Sequence, residues 1–505
     1  MKSTLQLLLA IFISCASEAE TLWVAQSSAG ANDGSSAENA KAISWLSTQS
    51  SWGTGDGIVG PGDTVMLSGA ISNAVVVGTN GTAGQPITIS FASGAQLTAT
   101  NWPATGAVNV GSFNFVTIDG AGVGVIRNTQ NGTDLAYQAD STGIYATLAN
   151  NVTVRRLIVT NLYERTPGST NDGNRYGIAV LMDQVSDLLV ESNRLWGGDT
   201  MVSATWQSGA FSNWTIHANT IGGCNHGITL GCSTAGAYLT NVVLSANRIN
   251  DFSVWNGHAS LHLDGIIIFV ESPSPGYDGR LDGLRVFGNH IGPDVGTINT
   301  AGLFINVFKL GQVVAPWIYN NIFEQEVDES WSNGHIYMGP AIGGVTNGLV
   351  ANNTFTADYP DGFCLNGASD CVFINNLSLS VGTGVSFGGS SSIPAAFASN
   401  TNIFANVYQS SGAFYGPSYA GYTFAGWQGL GFDSGSVTNV PSVIGYRPEA
   451  GDTIAIGKGI DLSAYFTTDF TGATRVAPWD IGAYEYLGRQ ATAGTVNVGT
   501  LNIAP

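Results

Sequence analysis

The feature that most constrains the fold is a short pattern that recurs along the middle of the chain. Alternating apolar residues are followed by Asn, one further residue and usually another apolar residue. The copies are LLVESNRLW (188–196), WTIHANTIG (214–222), VVLSANRIN (242–250), LRVFGNHIG (284–292), WIYNNIFEQ (317–325), GLVANNTFT (348–356) and CVFINNLSL (371–379). Such repetition indicates a protein built from stacked units, each packed against its neighbours.

A second pattern, a short strand that begins with Gly, lies between the copies of the first. It occurs as GIYAT (143–147), GIAVL (177–181), GITLG (227–231), GIIIF (265–269), GLFIN (302–306), GFCLN (362–366) and GVSFG (384–388). The long interval between Gly177 and Gly227 fits two units if TMVSATW (200–206) supplies the missing strand. The repeating unit is therefore one coil of two or three strands.

Short strands with one apolar face, joined by Gly and Asn turns, favour a parallel solenoid whose coils stack strand on strand. An antiparallel sandwich would not repeat one two-part pattern with long variable insertions between the parts. The recurring Asn tolerates left-handed backbone, and its side chain can bond the backbone of the next coil. We therefore predict an all-β solenoid with an asparagine ladder at one turn.

The ends of an open solenoid expose strand edges and need caps. Ser35 and Glu38 have the spacing of a capping box, which predicts a short N-terminal capping helix within 35–50. Near the other end, aromatic residues and glycines replace the coil pattern and predict an irregular cap. We predict one domain over 20–487, with an N-terminal cap at about 20–60, a C-terminal cap at about 415–487 and a tail at 488–505.

The first nineteen residues have the pattern of a secretory signal peptide. Lys2 precedes an apolar run over 5–14, and small residues follow, with predicted cleavage after Ala19. A transmembrane anchor would need about 20 apolar residues. Lipid attachment at Cys15 is a less favoured alternative. We expect a secreted protein, extracellular or periplasmic, without an integral membrane segment in the mature chain.

The formal net charge of −19 argues against binding to nucleic acid or to anionic membrane surfaces. An acidic polysaccharide would need a local basic cluster. Four cysteines remain after the predicted cleavage, and their spacings fit no zinc motif. They are Cys224, Cys232, Cys364 and Cys371. Export permits disulfides, and a bond between Cys364 and Cys371 would close one turn.

Both ends of the chain carry a family resemblance. The segments are LWVAQSSAGANDGSSAENAKAI (22–43), PGDTV (61–65), DTIAIGKG (452–459), DFTGATR (469–475) and DIGAYEY (480–486). Together with the coil pattern, they resemble secreted bacterial right-handed parallel β-helix proteins of the pectate-lyase-like superfamily. The resemblance implies a right-handed β-helix and, we expect, a monomer. It leaves activity open, since the superfamily includes lyases, hydrolases, epimerases and non-catalytic surface proteins.

Alignment of the coils on the leading Gly predicts which side chains are neighbours, since equivalent positions in successive coils lie about 4.8 Å apart. The residues before that Gly are Tyr176, His226, Asp264, Ala301, Asn333 and Asp361. His226 and Asp264 thus become neighbours, with His262 two residues upstream. A structural alternative is that Asp264 bonds turn amides, as a carboxylate before Gly often does.

The same alignment predicts further polar side chains on the outer surface of this strand and in the long loop that follows it. The predicted catalytic residues are His226, His262, Asp264, Arg280 and Lys309. The predicted substrate-binding residues are Asp183, His258, Glu271, Tyr277, Asp278 and Asn306. Long loops on one side of a solenoid can form the walls of a cleft.

These residue types permit two kinds of glycan cleavage. In β-elimination from a uronide, His226 or His262 would be the base, and Arg280, Lys309 or Ca²⁺ would neutralise the carboxylate. In hydrolysis, Asp264 would act with a second carboxylate, supplied by Asp183, Glu271 or Asp278. A third alternative is a non-catalytic glycan-binding or cell-surface protein. We favour the lyase, with no certain cofactor and Ca²⁺ as the candidate.

Overall fold

The computed structural model describes residues 19–167, 176–232, 234, 236–256, 262–272, 279–309, 311–325, 333–340, 344–357, 363–367, 370–407, 412–486 and 488. Nearly all of the predicted signal peptide and of the predicted tail lie outside these residues. None of the helices in this part of the chain has the length and apolar character needed to cross a bilayer.

Parallel strands stack coil on coil into two long sheets. The first sheet contains Thr21–Ala25, Lys41–Ala42, Thr64–Ser68, Ile87–Phe91, Val116–Asp119, Asn150–Arg155, Ser186–Glu191, Gly209–His217, Ala237–Ser245, Arg280–Phe287, Gln312–Val314, Trp317–Tyr319, Val345–Thr346, Gly348–Ala351, Cys371–Ile374 and Ala398–Asn400. It forms one side of every coil.

The second sheet covers the two remaining sides, since the long strands Arg194–Thr205 and Thr220–Cys232 each pair with two strands of a neighbouring coil. The second side holds Ala70–Ile71, Gln96–Ala99, Val125–Asn128, Ile158–Thr160, Arg248–Asn250, His290–Ile291, Ile322–Gln325, Thr354–Ala357, Leu377–Leu379 and Ile403–Ala405. The third side holds Val75–Val76, Val108–Gly111, Ser141–Thr147, Gly177–Asp183, Leu263–Ser272, Asn299–Lys309, Ile336–Pro340, Phe363–Asn366, Thr383–Ser386, Phe414–Tyr415 and Gly421–Tyr422.

Successive side chains along each strand point alternately into the solenoid and outward, and the inward ones fill the interior. In Leu263–Ser272, for example, Ile266, Ile268 and Val270 are fully buried, whereas Ile267 and Phe269 are partly exposed. Apolar side chains from the three sides meet in one continuous core. The predicted right-handed parallel β-helix is thereby confirmed.

The predicted asparagine ladder is present at the turn between the first and second sides. Its members are Asn193, Asn219, Asn247, Asn289, Asn321, Asn353, Asn376 and Asn402, all buried. In the pair Asn289 and Asn321, for example, the backbone N–H and the side-chain Nδ2 of Asn289 both donate to Oδ1 of Asn321 at 3.0 Å. The ladder asparagines themselves do not have a left-handed backbone. The left-handed residues are the ones just before them, such as Asn320 and Asn352.

The N-terminal cap differs from the predicted helix. Three short 3₁₀ turns, Ala37–Asn39, Ile43–Ser47 and Gln49–Ser51, occupy the segment, and Ser36 before the first turn makes no side-chain capping bond. The second of these turns buries both Ile43 and Leu46 in the core. A further 3₁₀ turn, Ser253–Trp255, precedes the third side of a central coil.

The C-terminal region caps the last coil and then returns along the outside of the solenoid. The 3₁₀ turn Pro417–Tyr419 and the α-helix Phe424–Gly429 come first, and buried Trp427 of that helix stacks on Phe414. The hairpin Val443–Ile444 with Arg447–Pro448 follows. Residues 451–486, here called the strap, then lie against earlier coils and not only against the end of the solenoid.

Left-handed asparagines beside the ladder hold the strap in place. Their Nδ2 groups donate to strap carbonyls: Asn320 to Thr468 (2.6 Å), Asn352 to Asp480 (2.9 Å) and Asn375 to Ile460 (2.8 Å). An apolar cluster between strap and coils adds Leu462, Phe466 and Trp479 on the strap side. The strap thus ties at least three consecutive coils together.

All four cysteines of the described chain are buried thiols, so the disulfide between Cys364 and Cys371 is not formed. Sγ of Cys364 lies 2.6 Å from Oγ of Ser378, and burial raises the pKa of this thiol to about 12. A buried, protonated thiol reacts slowly.

We therefore expect a thiol reagent to find no rapidly reacting group in a native chain beginning at residue 20, and four groups after unfolding. Dithiothreitol should leave the melting temperature unchanged. Fewer than four thiols in the unfolded, unreduced protein would contradict this expectation.

Candidate active site

Two neighbouring strands on the third side bring together the polar groups of the candidate site. Thr220–Cys232 and Leu263–Ser272 pair in parallel, with His226 opposite Asp264. The neighbour relation predicted from the coil alignment is thus confirmed. The glycine after each residue permits the close stacking, because a Cβ on Gly227 would lie 2.4 Å from the carbonyl oxygen of Gly265.

A buried carboxylate forms the centre of the site. The Asp264 side chain has no exposed surface, and its Oδ2 lies 2.6 Å from Nδ1 of His262 and 3.5 Å from Nε2 of His226. The backbone N–H of Ala301 donates to Oδ1 at 3.3 Å. A carboxylate in an interior position needs such donors to offset its loss of hydration.

His262 is the exposed member of the cluster, with 48% of its side chain accessible. Its hydrogen bond to the Asp264 carboxylate raises the pKa of this imidazole above the usual value. Oγ1 of Thr300 lies 2.8 Å from the same Nδ1. Within the described part of the chain, no side chain hydrogen-bonds Nε2, which lies on the far side of the ring.

His226 is more enclosed, with 14% of its side chain accessible. Its Nδ1 lies 2.7 Å from Nδ2 of the fully buried Asn225. If this amide donates to Nδ1, the ring proton of neutral His226 is on Nε2 and points towards Asp264. Both nitrogens of His226 are then engaged, whereas His262 keeps one for chemistry.

Aromatic rings continue the surface beyond His262. The centroid of the Phe304 ring lies 5.9 Å from that of His262, and Phe304 stacks on Tyr337 of the next coil at 4.7 Å with an interplanar angle of 15°. Burial raises the pKa of Tyr337 above its usual value. Phe304 is only 7% exposed, so partly exposed Tyr337 supplies the accessible part of this apolar surface. Sequence reasoning missed both, although their register follows from the coil alignment.

The predicted cations do not lie beside the histidines. Glu271 is seven residues after Asp264 in the same strand, a distance of roughly 23 Å at about 3.3 Å per residue. The backbone of Lys309 pairs with Ser272 at that same far end. The predicted set therefore divides between the two ends of one strand.

Arg280 belongs to the far group as well. It begins the first-sheet strand Arg280–Phe287 and forms an ion pair with Asp282 at 2.7 Å. The preceding residue, Gly279, is close to the carbonyl oxygen of Glu271, which a Cβ at position 279 would approach to 2.8 Å. Neither Arg280 nor Lys309 is placed to neutralise a carboxylate held at His262.

Asp183 and Asn306 lie in one outward row of the third side. Phe269 belongs to the same row, and two strands lie between it and Asp183. Asp264 lies three coils from Asp183 and five residues farther back along the strand direction. By strand geometry the two residues are about 20 Å apart. Asp183 accepts a hydrogen bond from Thr147 at 3.3 Å. His258, Tyr277 and Asp278 lie outside the described residues.

The three central groups also form the cluster that could hold a metal ion. One ligand atom from each of His226, His262 and Asp264 lies within 4.8 Å of the other two. Two imidazoles and one carboxylate suit a transition metal, whereas Ca²⁺ takes six to eight oxygen ligands. The cluster therefore does not fit the Ca²⁺ suggested from the sequence.

A shallow cavity of about 320 Å³ lies elsewhere, on the outer surface of the first sheet. Thr117, Thr153 and Asp187 are among its lining residues. Oδ1 of Asp187 already accepts a hydrogen bond from Asn213 at 2.7 Å. Its lining offers hydroxyls but no imidazole, so the His226, His262 and Asp264 cluster is the better candidate for chemistry.

No protein-family model and no curated protein sequence matches this chain. Solved structures do match. The complex of XylC with xylose aligns over 92% of this chain and 98% of its own, with a TM-score of 0.52 and 10% identity. Pectate lyase Pel9A aligns over 92% and 96% (TM-score 0.40, 15% identity), and an alginate lyase from Paenibacillus sp. str. FPU-7 over 72% and 94% (0.35, 16%). At these identities the likeness concerns the fold, and the chain is a right-handed parallel β-helix protein.

Proposed function

We propose that this protein acts on a polysaccharide and that the pair formed by His262 and Asp264 transfers a proton in the reaction. One observation carries the proposal. A fully buried carboxylate holds Nδ1 of a half-exposed imidazole at 2.6 Å, and no side chain of the described residues hydrogen-bonds Nε2. An imidazole fixed in this way has the tautomer and the orientation of a general base.

The reaction that best suits one oriented base is β-elimination from a uronide. Nε2 of His262 would take the proton from C5 of the sugar. The electron pair forms the double bond between C4 and C5, the bond from C4 to the glycosidic oxygen breaks, and that oxygen takes a proton from water. The superfamily that the sequence resembles includes lyases, and this resemblance favours the same reaction. XylC, whose fold this chain shares, was solved with the sugar xylose.

The partly exposed ring of Tyr337, backed by the buried ring of Phe304, would support the sugar beside the base. Aromatic faces present a large, rigid apolar surface for such contacts. Asn306, in the adjacent outward row, would donate or accept hydrogen bonds with the glycan. The far end of the strand is roughly 23 Å from Asp264. Sugars farther along the glycan would contact the residues at that end, Glu271, Arg280 and Lys309.

Hydrolysis is the less favoured alternative. It needs two carboxylates about 5–9.5 Å apart, whereas by strand geometry Asp183 is about 20 Å and Glu271 roughly 23 Å from Asp264. The other alternative is glycan binding without cleavage. It would not need Arg280 and Lys309 to lie beside the histidines. We further propose that the protein is exported and works as a monomer outside the cytoplasm.

A cleavage assay tests the proposal. The protein is incubated with a panel of uronic-acid-containing and neutral glycans, with and without added Ca²⁺. Ultraviolet absorbance of unsaturated uronides and the release of reducing ends are both followed. Unsaturated product supports the lyase. Reducing ends alone would indicate the hydrolase, and binding without either signal would replace the enzyme with the glycan-binding alternative.

A further inference from the structure

We propose that His226, His262 and Asp264 form a binding site for a divalent transition metal ion such as Zn²⁺, and that the bound ion blocks proton transfer by His262. The metal site stands on the geometry of the three side chains. Only the inhibition rests on the proposed function.

A tetrahedral centre with three protein ligands needs only a small movement of His262, whose Nδ1 is now 2.6 Å from Oδ2 of Asp264. Two ligands of Zn²⁺ lie about 3.3 Å apart when each bond is about 2.0–2.1 Å long. Nε2 of His226 and Oδ2 of Asp264 are 3.5 Å apart, and the three ligand atoms all lie within 4.8 Å of one another. Nδ1 of His262 is now hydrogen-bonded to Oδ2, and the ion would replace the shared proton, which leaves to solvent.

Asn225 supplies a second, independent observation. Its side chain is fully buried, and Oδ1 has no hydrogen-bond partner although Nδ2 faces Nδ1 of His226 at 2.7 Å. Rotation of the amide by half a turn would place Oδ1 there, where it accepts the Nδ1 proton of His226. Nε2 then carries a lone pair directed at Asp264. A metal-bound histidine commonly donates its other N–H to such an oxygen.

The ligand set also determines which ion is selected. Imidazole nitrogens favour Zn²⁺, Cu²⁺ and Ni²⁺, while Ca²⁺ and Mg²⁺ prefer oxygen ligands in greater number. Three protein ligands leave the fourth position of a tetrahedral ion for water. The half-exposed side chain of His262 opens that position to solvent.

The metal-bound and base-competent states exclude each other. Nδ1 of His262 donates its proton to Asp264 in the base-competent state, and the same atom would ligate the ion. Once Nδ1 is ligated, the remaining proton is on Nε2, which can no longer accept one from a sugar. Zn²⁺ should therefore inhibit cleavage, and a chelator should restore it.

The test measures metal binding directly, on the metal-free full chain. We expect calorimetric titration to give one Zn²⁺ per chain, with affinity lowered at least about 10-fold in His226→Gln and in Asn225→Leu, which removes the amide. His217→Gln is the matched control, because this histidine bonds Ser245 on the first sheet. Bound Co²⁺ should give the intense visible absorption of a tetrahedral centre. Added Ca²⁺ or Mg²⁺ should not compete.

Equal Zn²⁺ affinity in wild type and His226→Gln, or no saturable binding by wild type, would overturn the metal site. The wild-type titration and the Co²⁺ spectrum remain decisive if a variant fails to fold. Binding without any glycan cleavage would keep the metal site and reject the proposed function. Cleavage unaffected by a saturating ion would reject the inhibition.

Discussion

Replacing His262 by glutamine is expected to lower kcat on the cleaved glycan by about 10²- to 10⁴-fold, the usual contribution of a positioned general base. Glutamine keeps much of the side-chain volume and a polar end, so KM should change far less than kcat. Asp264→Asn should also lower kcat, because a neutral amide no longer stabilises the imidazolium that forms when His262 takes the proton. Both effects are measured from initial rates at several glycan concentrations.

The control for both variants is His217→Gln, which changes a histidine on the outer surface of the first sheet. It should retain wild-type kcat. Circular dichroism and melting temperature establish that each variant is folded, a necessary check because Asp264 is fully buried. Full activity in folded His262→Gln would reject the proposed base, whatever the reaction is.

Asn321→Ala is expected to destabilise the fold by about 2–5 kcal/mol, because it leaves several buried polar groups without partners, each costing about 1–3 kcal/mol. Nδ2 of Asn321 donates to the carbonyl oxygen of Val286 at 2.9 Å. Its Oδ1 accepts two hydrogen bonds from Asn289, both of 3.0 Å. Alanine removes these bonds in the middle of the ladder, where water cannot replace them.

Urea unfolding followed by circular dichroism measures this loss as a shift of the midpoint. Asn150→Ala provides the comparison, since Asn150 is an exposed asparagine at the start of a strand. Its midpoint should stay close to that of the wild type. Equal midpoints for Asn321→Ala and Asn150→Ala would show that the ladder contributes little to stability.

The sequence predicted those parts of the site that depend on stacking between neighbouring coils. The Gly-led strands determine the register by themselves, because a Cβ at Gly227 or Gly265 would collide with the carbonyl oxygen of the coil above. Alignment on these glycines therefore placed His226 opposite Asp264. The ladder asparagines were predicted for the same reason, since one residue type recurs at one turn.

Other parts were not predictable because they depend on position along a strand or on contacts between distant segments. Arg280 and Lys309 were grouped with the histidines because the alignment placed them on the same outer surface or in the loop that follows. An extended strand of seven residues nevertheless separates their end from Asp264 by roughly 23 Å. The role of Asn225 depends on the direction of one amide. The strap was predicted as a cap, because no local pattern tells which coils a returning segment will contact.

The strap also changes how the solenoid can open. A plain solenoid frays coil by coil from its end, since each unit contacts only its neighbours. Arg475 of the strap donates to Oδ1 of Asn320, which lies 155 positions earlier in the chain. With such ties across successive coils, the C-terminal half must open as one cooperative unit, while the N-terminal coils remain able to open one at a time. Because the strap is synthesised after the coils that it contacts, those coils gain this cooperativity only once the strap has left the ribosome.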